Sequence, residues 1–259
     1  MVKKQLSDEK KNNTILLIAD ISGYTQFTKQ HTHTVAGSHG KQIIVRLLKA
    51  LMKTAKPPLK VAELEGDAVF FYARASKNNV DNVAAHVKEQ VLNFFSAFKT
   101  ELQAIGSLTT CGCDACDHVH DLQLKEVIHL GNAEIEQIGR FEKLFGLDVI
   151  IIHRLLKNSV QAREYVLMTN PMLNSIKDFF GLQPERRHET FEGVGEIETI
   201  VFYPDQLPLK SREDGTQARL IFTSTFLDRL AWRILLSYHT VLDRFRLAKR
   251  TRVIDGTKA

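Results

Sequence analysis

The sequence predicts an α+β fold, a sandwich with helices laid on an antiparallel-rich sheet. Three observations carry this. Short β-branched runs such as Thr14–Ile21 are ended by Gly-containing turns, and two strand pairs stand around tight turns at Glu65-Gly66-Asp67 and Gly131-Asn132. Between them lie long segments with apolar residues at helical spacing.

Taken in order, Thr14–Ile21 reads as a buried strand closed by Asp20-Ile-Ser-Gly. From Gly40 to Ala55 the residues Ile43, Ile44, Leu47, Leu48, Leu51 and Met52 recur on one helical face, and Pro57-Pro58 ends the segment. Leu59–Leu64 and Ala68–Ala73 form a hairpin whose Gly66 supplies the permissive backbone of the turn. Val80–Leu102 is a second helix with Phe94, Phe95 and Phe98 as core. Leu122–Leu130 and Ala133–Ile138 are read as paired strands, and Asp148–Lys157 as a helix opening after Gly146. Tyr165–Thr169 is a strand, Pro171–Phe179 a helix, and Phe191–Tyr203, broken at Gly193–Gly195, a closing hairpin. The organisation expected is a flexible start over 1–12, one domain over 13–204, a linker over 205–217 and a helical tail over 218–252.

With 259 residues, 44% hydrophobic and 25% charged, the chain has the composition of a globular protein, which excludes collagen-like, disordered and disulfide-scaffold classes. No apolar run approaches the roughly 18–20 residues that span a bilayer, and the first residues form a polar charge cluster, so a cytoplasmic location is expected. The net charge is +5. Between Arg219 and Arg252 eight basic residues face only Asp228 and Asp243, a surplus that exceeds the charge of the whole chain and leaves the main body close to neutral.

Two carboxylates stand at strand ends rather than on polar helix faces: Asp20 after the first strand and Asp67 in the hairpin turn. Side by side, such hard oxygens suit Mg²⁺ or Mn²⁺, and the helix start after Ser22-Gly23-Tyr24 offers free N–H groups to phosphate. The same residues also serve in ordinary turns and helix caps.

Here the sequence resembles a known family. Ile18-Ala-Asp-Ile-Ser-Gly-Tyr-Thr-Gln-Phe is similar to the first metal motif of class III nucleotidyl cyclases, and Glu63-Leu-Glu-Gly-Asp-Ala-Val to their metal hairpin. Lys143-Leu-Phe-Gly-Leu-Asp-Val-Ile-Ile-Ile-His-Arg-Leu resembles their base-reading and transition-state segment, and Gly193-Val-Gly-Glu-Ile-Glu-Thr-Ile-Val-Phe their closing hairpin. The motifs keep the family's order over residues 13–204. Together with Cys111-Gly-Cys-Asp-Ala-Cys and Leu124-Lys-Glu-Val-Ile-His, they resemble most the bacterial cyclase-like family DUF2652.

The resemblance implies the ferredoxin-like cyclase sandwich and a known reaction. Two metal ions on Asp20 and Asp67 position a nucleoside triphosphate, the ribose 3′-hydroxyl attacks the α-phosphate, and pyrophosphate leaves. The backbone at Ile21 would assist the metal, Ser22, Gly23 and Tyr24 the phosphates, Glu63 and Lys143 the base, and Arg154 the transition state. In such enzymes the site lies between two copies of the chain, so a partner would bring Glu63, Lys143, Ile150 and Arg154.

Departures from the pattern accompany the matches. Ile150 stands where an Asn is expected to bond the ribose. Lys143 replaces an Asp or Cys, although Glu63 matches the guanylate-type residue. Asn132 stands where some members place a phosphate-binding Arg, and Val194 and Glu196 leave the closing hairpin without a suitable Lys. Loss of one preorganised donor costs about 10²–10³ in rate, which predicts slow or altered chemistry. A cyclase fold that binds nucleotide or a partner without turnover is the alternative.

Cys111, Cys113 and Cys116, with His118, offer a Cys₃His set for a structural Zn²⁺, or else are reduced thiols in a loop. Were they to hold zinc, a zinc-stabilised structural dimer would be a third reading. His31, His33 and His39 are read as a solvated loop, and His129 and His153 as satisfied core or interface residues. In the tail, Leu227, Ala231, Ile234, Tyr238, Val241, Phe245 and Ala248 make an apolar seam, which packs on its own domain or docks a protein partner. Neither nucleic acid nor membrane is the expected partner, since no aromatic platform or groove-reading motif accompanies the charge.

Overall fold

The computed structural model describes residues 13–31, 37–108 and 118–206. Nine strands and five α-helices are found among them: β1 (Asn13–Ser22), α1 (Tyr24–His31), α2 (Gly37–Thr54), β2 (Lys60–Glu65), β3 (Ala68–Ala75), α3 (Val80–Leu108), β4 (Gln123–Asn132), β5 (Glu134–Ile138), β6 (Phe141–Phe145), α4 (Leu147–Leu155), β7 (Tyr165–Thr169), α5 (Asn170–Ile176), β8 (Glu185–Phe191) and β9 (Gly195–Phe202). Seven strands form one sheet in the order β2-β3-β1-β4-β7-β9-β8. Only β4 and β7 run parallel; every other neighbouring pair is antiparallel.

Strand alternation divides the core between two faces. Ile15, Leu17, Ala19 and Ile21 of β1 pack with Leu47 and Leu51 of α2, with Phe94 and Phe98 of α3, and with Met172 of α5. On the other face, Leu16 and Ile18 meet Val127 of β4 and Ile152 and Leu155 of α4. The expected aromatic stripe of α3 is fully buried. One acid breaks the pattern. Glu126 of β4 shares the parity of Leu124 and Ile128, is wholly buried, and neither of its carboxyl oxygens has a hydrogen-bond partner among the described residues. Burial pushes its pKa well above the ordinary range.

The element order matches the α+β expectation, with four corrections. Gly131-Asn132 is not a hairpin turn between paired strands: β4 pairs with β1 and β7, whereas β5 pairs with β6 in a separate two-stranded sheet. Gly131 is required for a different reason, because a Cβ there would lie 2.2 Å from Cγ of Asp148. The first strand of the closing hairpin precedes Phe191 instead of beginning with it, and α3 continues six residues beyond Leu102. His31 ends α1 and His39 lies in α2, so the helices extend into the stretch read as a loop. His33, the three cysteines, the first 12 residues and everything after Gln206 lie outside the described residues. Among the described residues no helix is long and apolar enough to cross a membrane.

Candidate active site

Asp20 lies near the end of β1 and Asp67 in the β2–β3 turn. Register brings them together: Asp20 is opposite Ala68, the residue after Asp67, and the Ile21 N–H donates to the Asp67 carbonyl at 3.2 Å. The Asp67 carboxyl is pushed up to about 6, first by burial and then by the negative charge of Asp20. Gly23, with φ of +90°, turns the chain from β1 into α1, and its carbonyl accepts from Phe27 N–H at 2.9 Å. A Cβ at Gly23 would stand 3.1 Å from the Asp121 carbonyl, so Ser22-Gly23-Tyr24 is a close turn packed on the segment before β4.

A cation completes this corner. Lys125 faces Asp20 across the β1–β4 pair, and its Nζ lies 2.8 Å from Asp20 Oδ2, with both side chains largely buried. Burial opposes the lysine's charge, but the hydrogen bond to Asp20 and its charge outweigh that and hold the Lys125 pKa above the usual value. On the other side of Lys125 stands Tyr165, its partner in β7. The Tyr165 hydroxyl accepts from Asn158 Nδ2 at 2.8 Å, and burial leads in raising its pKa. Sequence reasoning did not find Lys125 or Tyr165. The available clue was alternation along β4, which puts Lys125 on the same face as Val127 and His129.

The helix α4 carries Ile150 and Arg154. It opens at Gly146, with φ of +132°, where a Cβ would stand 3.1 Å from the Asn132 carbonyl. His129, buried as expected, bridges Thr169 Oγ1 at 2.9 Å and Asp148 Oδ1 at 2.8 Å, while Asp148 Oδ2 accepts from the Asn132 N–H at 2.6 Å. His153 bridges the Val149 carbonyl and, at 2.8 Å, Glu65 Oε1, which ties α4 to β2. Arg154 is exposed and donates from Nη1 to the Glu192 carbonyl in the β8–β9 turn. Ile150 is half exposed. Glu63 and Lys143 are joined as an ion pair within one chain.

Asp20 and Asp67 therefore share one corner with the Ser22-Gly23-Tyr24 turn. Glu63, Lys143 and Arg154 stand on β2, β6 and α4, as parts of the same protomer. Two carboxylates form a hard-oxygen set that fits a magnesium or manganese ion completing its shell with water and phosphate oxygens. Among the described residues no group of three or more His, Cys, Asp or Glu side chains is placed to hold a metal ion. His118, the one described residue of the zinc set, has Nδ1 3.0 Å from Asp121 Oδ2.

Comparison with known proteins shows the family and the fold. Residues 44–165 match the family described as protein of unknown function DUF2652. An uncharacterised protein of Mycobacterium tuberculosis, Rv2561/Rv2562, is 31% identical over 156 residues, which are 60% of this chain and 71% of that protein. Among solved structures, the guanylyl cyclase Cya2 superposes with a TM-score of 0.56 at 16% identity, covering 76% of this chain and 96% of that one. The adenylyl cyclase CyaB from P. aeruginosa gives 0.52 at 15% identity, covering 74% and 94%. A class III adenylyl cyclase-like ATP-binding protein from Pseudomonas aeruginosa gives 0.53 at 13% identity, covering 63% of this chain and 34% of that one. The chain belongs to the DUF2652 family and is built on the class III nucleotidyl cyclase fold.

Proposed function

We propose that two copies of this chain bind a nucleoside triphosphate with Mg²⁺ or Mn²⁺ and convert it to a 3′,5′-cyclic nucleotide and pyrophosphate. The observation that carries the reading is the convergence of Asp20 and Asp67 beside the Ser22-Gly23-Tyr24 turn. In the reaction the ribose 3′-hydroxyl gives its proton to solvent as the O3′–Pα bond forms, the bond from Pα to the bridging oxygen breaks, and pyrophosphate carries away the electron pair. A divalent cation held by the two carboxylates would neutralise phosphate charge.

The remaining work falls to the chain's own groups. The turn after β1 presents backbone to the phosphates. Arg154, held toward the β8–β9 turn by Glu192, supplies positive charge for the α-phosphate of the partner copy's site. Glu63 and Lys143 face the base as a joined pair. Ile138, Phe141, Phe145, Leu147 and Ile150 are exposed along the β5–β6 hairpin and the first turns of α4, an apolar surface suited to a second copy. The same reading includes a cytoplasmic location, zinc on the cysteine segment, and a tail over 218–252 that docks a protein partner.

A second reading, nucleotide binding without turnover, draws on Ile150, an apolar side chain where a ribose donor is needed. One assay separates them. ATP, GTP, CTP and UTP are each incubated with Mn²⁺ or Mg²⁺, and products are identified by mass spectrometry for the intact protein, Asp20→Ala and Asp67→Ala. A cyclic product abolished by either substitution supports turnover. Nucleotide binding by calorimetry with no product supports the second reading, and neither binding nor product overturns both.

A further inference from the structure

Lys125 is the cation built into the corner where the two carboxylates converge. Its ammonium already holds Asp20 Oδ2, so a divalent ion bound at the Asp20 carboxylate would stand close to a second cation at partly buried positions, where the two repel strongly. No other carboxylate of the described residues lies within ion-pair distance of Lys125. Its neighbour in β7, Tyr165, has its hydroxyl engaged by Asn158. An ammonium displaced from Asp20 keeps only the longer-range attraction of Asp67, itself one of the two carboxylates that would hold the metal, whereas the phosphates of a nucleotide would supply an anion.

We propose that Lys125 is an internal counter-cation that competes with divalent metal for Asp20, keeping metal affinity low until a triphosphate arrives to take the ammonium. Metal and nucleotide binding are thereby linked through one side chain. The inference rests on the reading of Asp20 and Asp67 as cation ligands.

The test is direct Mn²⁺ binding to the full chain without nucleotide, by calorimetry and by electron paramagnetic resonance. The proteins compared are the wild type, Lys125→Met, Lys125→Gln and Lys125→Arg. Removing the charge in the Met and Gln variants is expected to tighten Mn²⁺ binding by about tenfold or more, and the Arg variant should stay within about threefold of wild type. Unchanged or weaker binding in the folded Met and Gln variants overturns the proposal while leaving the carboxylates as metal ligands. Absence of Mn²⁺ binding in all four folded proteins overturns the underlying reading as well. If the neutral variants fail to fold, Mg²⁺ titration of the wild type is followed through the Lys125 ¹⁵Nζ resonance. A shift tracking occupancy supports displacement, and a resonance unmoved at saturation overturns it.

Discussion

His129 Nε2 and Asp148 Oδ1 lie 2.8 Å apart, and this contact fixes the first turn of α4 to β4. Burial works against the Asp148 charge, but bonds from His129 and from the Asn132 N–H outweigh it and hold the carboxyl below its usual value. A depressed carboxyl stabilises the fold above its unfolded pKa, and that contribution is lost as pH falls through the folded value. Asp148→Ala is therefore expected to cost about 1–3 kcal/mol at pH 7. Urea denaturation should show the difference shrinking below pH 3.8, the value of the unperturbed group. A pH-independent difference would refute the charged role.

Glu126 carries the opposite sign. Its raised pKa means that the fold prefers the protonated acid, so stability is fully present below 4.5 and declines as pH rises toward the folded value. Glu126→Leu removes two unpartnered oxygens and should stabilise by about 1–3 kcal/mol at pH 7. Thermal melts at pH 4 and 7 should show Glu126→Gln gaining only at the higher pH.

Asp67 is disfavoured in its ionised form by burial and by Asp20. Between the unperturbed 3.8 and about 6, its contribution to stability declines with rising pH. Asp67→Asn is expected to stabilise the metal-free protein at pH 7 by about 1 kcal/mol, a figure discounted for the part of the group in water. The same substitution abolishes any cyclic product. A variant less stable than wild type in chemical denaturation would contradict the repulsion argument.

Ile150 is half exposed, so a polar replacement leaves the core intact. If the chain turns over, Ile150→Asn should raise the rate of product formation by about 10-fold to 100-fold, as expected for restoring a donor to a preorganised site. Initial rates at saturating nucleotide measure this, and a rate equal to or below wild type would count against the assigned position.

Phe141 is 58% exposed at the start of β6. A charge there opposes burial against a second copy, so Phe141→Glu is expected to shift sedimentation velocity from dimer to monomer at micromolar concentration. Circular dichroism should be unchanged. An unaltered dimer would place the interface elsewhere.

Much of this architecture was legible in sequence because local chemistry and tertiary role agree. Asp20 stands near the end of β1 and Asp67 in the β2–β3 turn, as their local sequence predicts. Lys125 was not legible, because its meaning depends on a register partner more than 100 residues earlier. Gly131 misled for a physical reason: it has the look of a turn glycine, but its missing Cβ makes room for Asp148. Strand β6 was missed because its Phe141 and Phe145 are exposed, and the start of β8 because Glu185–Thr190 is mostly polar, as edge strands often are. The cysteine segment and the tail lie outside the described residues.

Strand β1 is flanked on both sides, by β3 and by β4. Its second neighbour is delivered only after α3 and the cysteine segment have been made, so a chain emerging from the ribosome carries one edge of unpaired backbone N–H and C=O groups through that interval. Residues 14–21 are then a place where a chaperone can hold the nascent protein, and the Asp20 corner takes its shape only once β4 has joined.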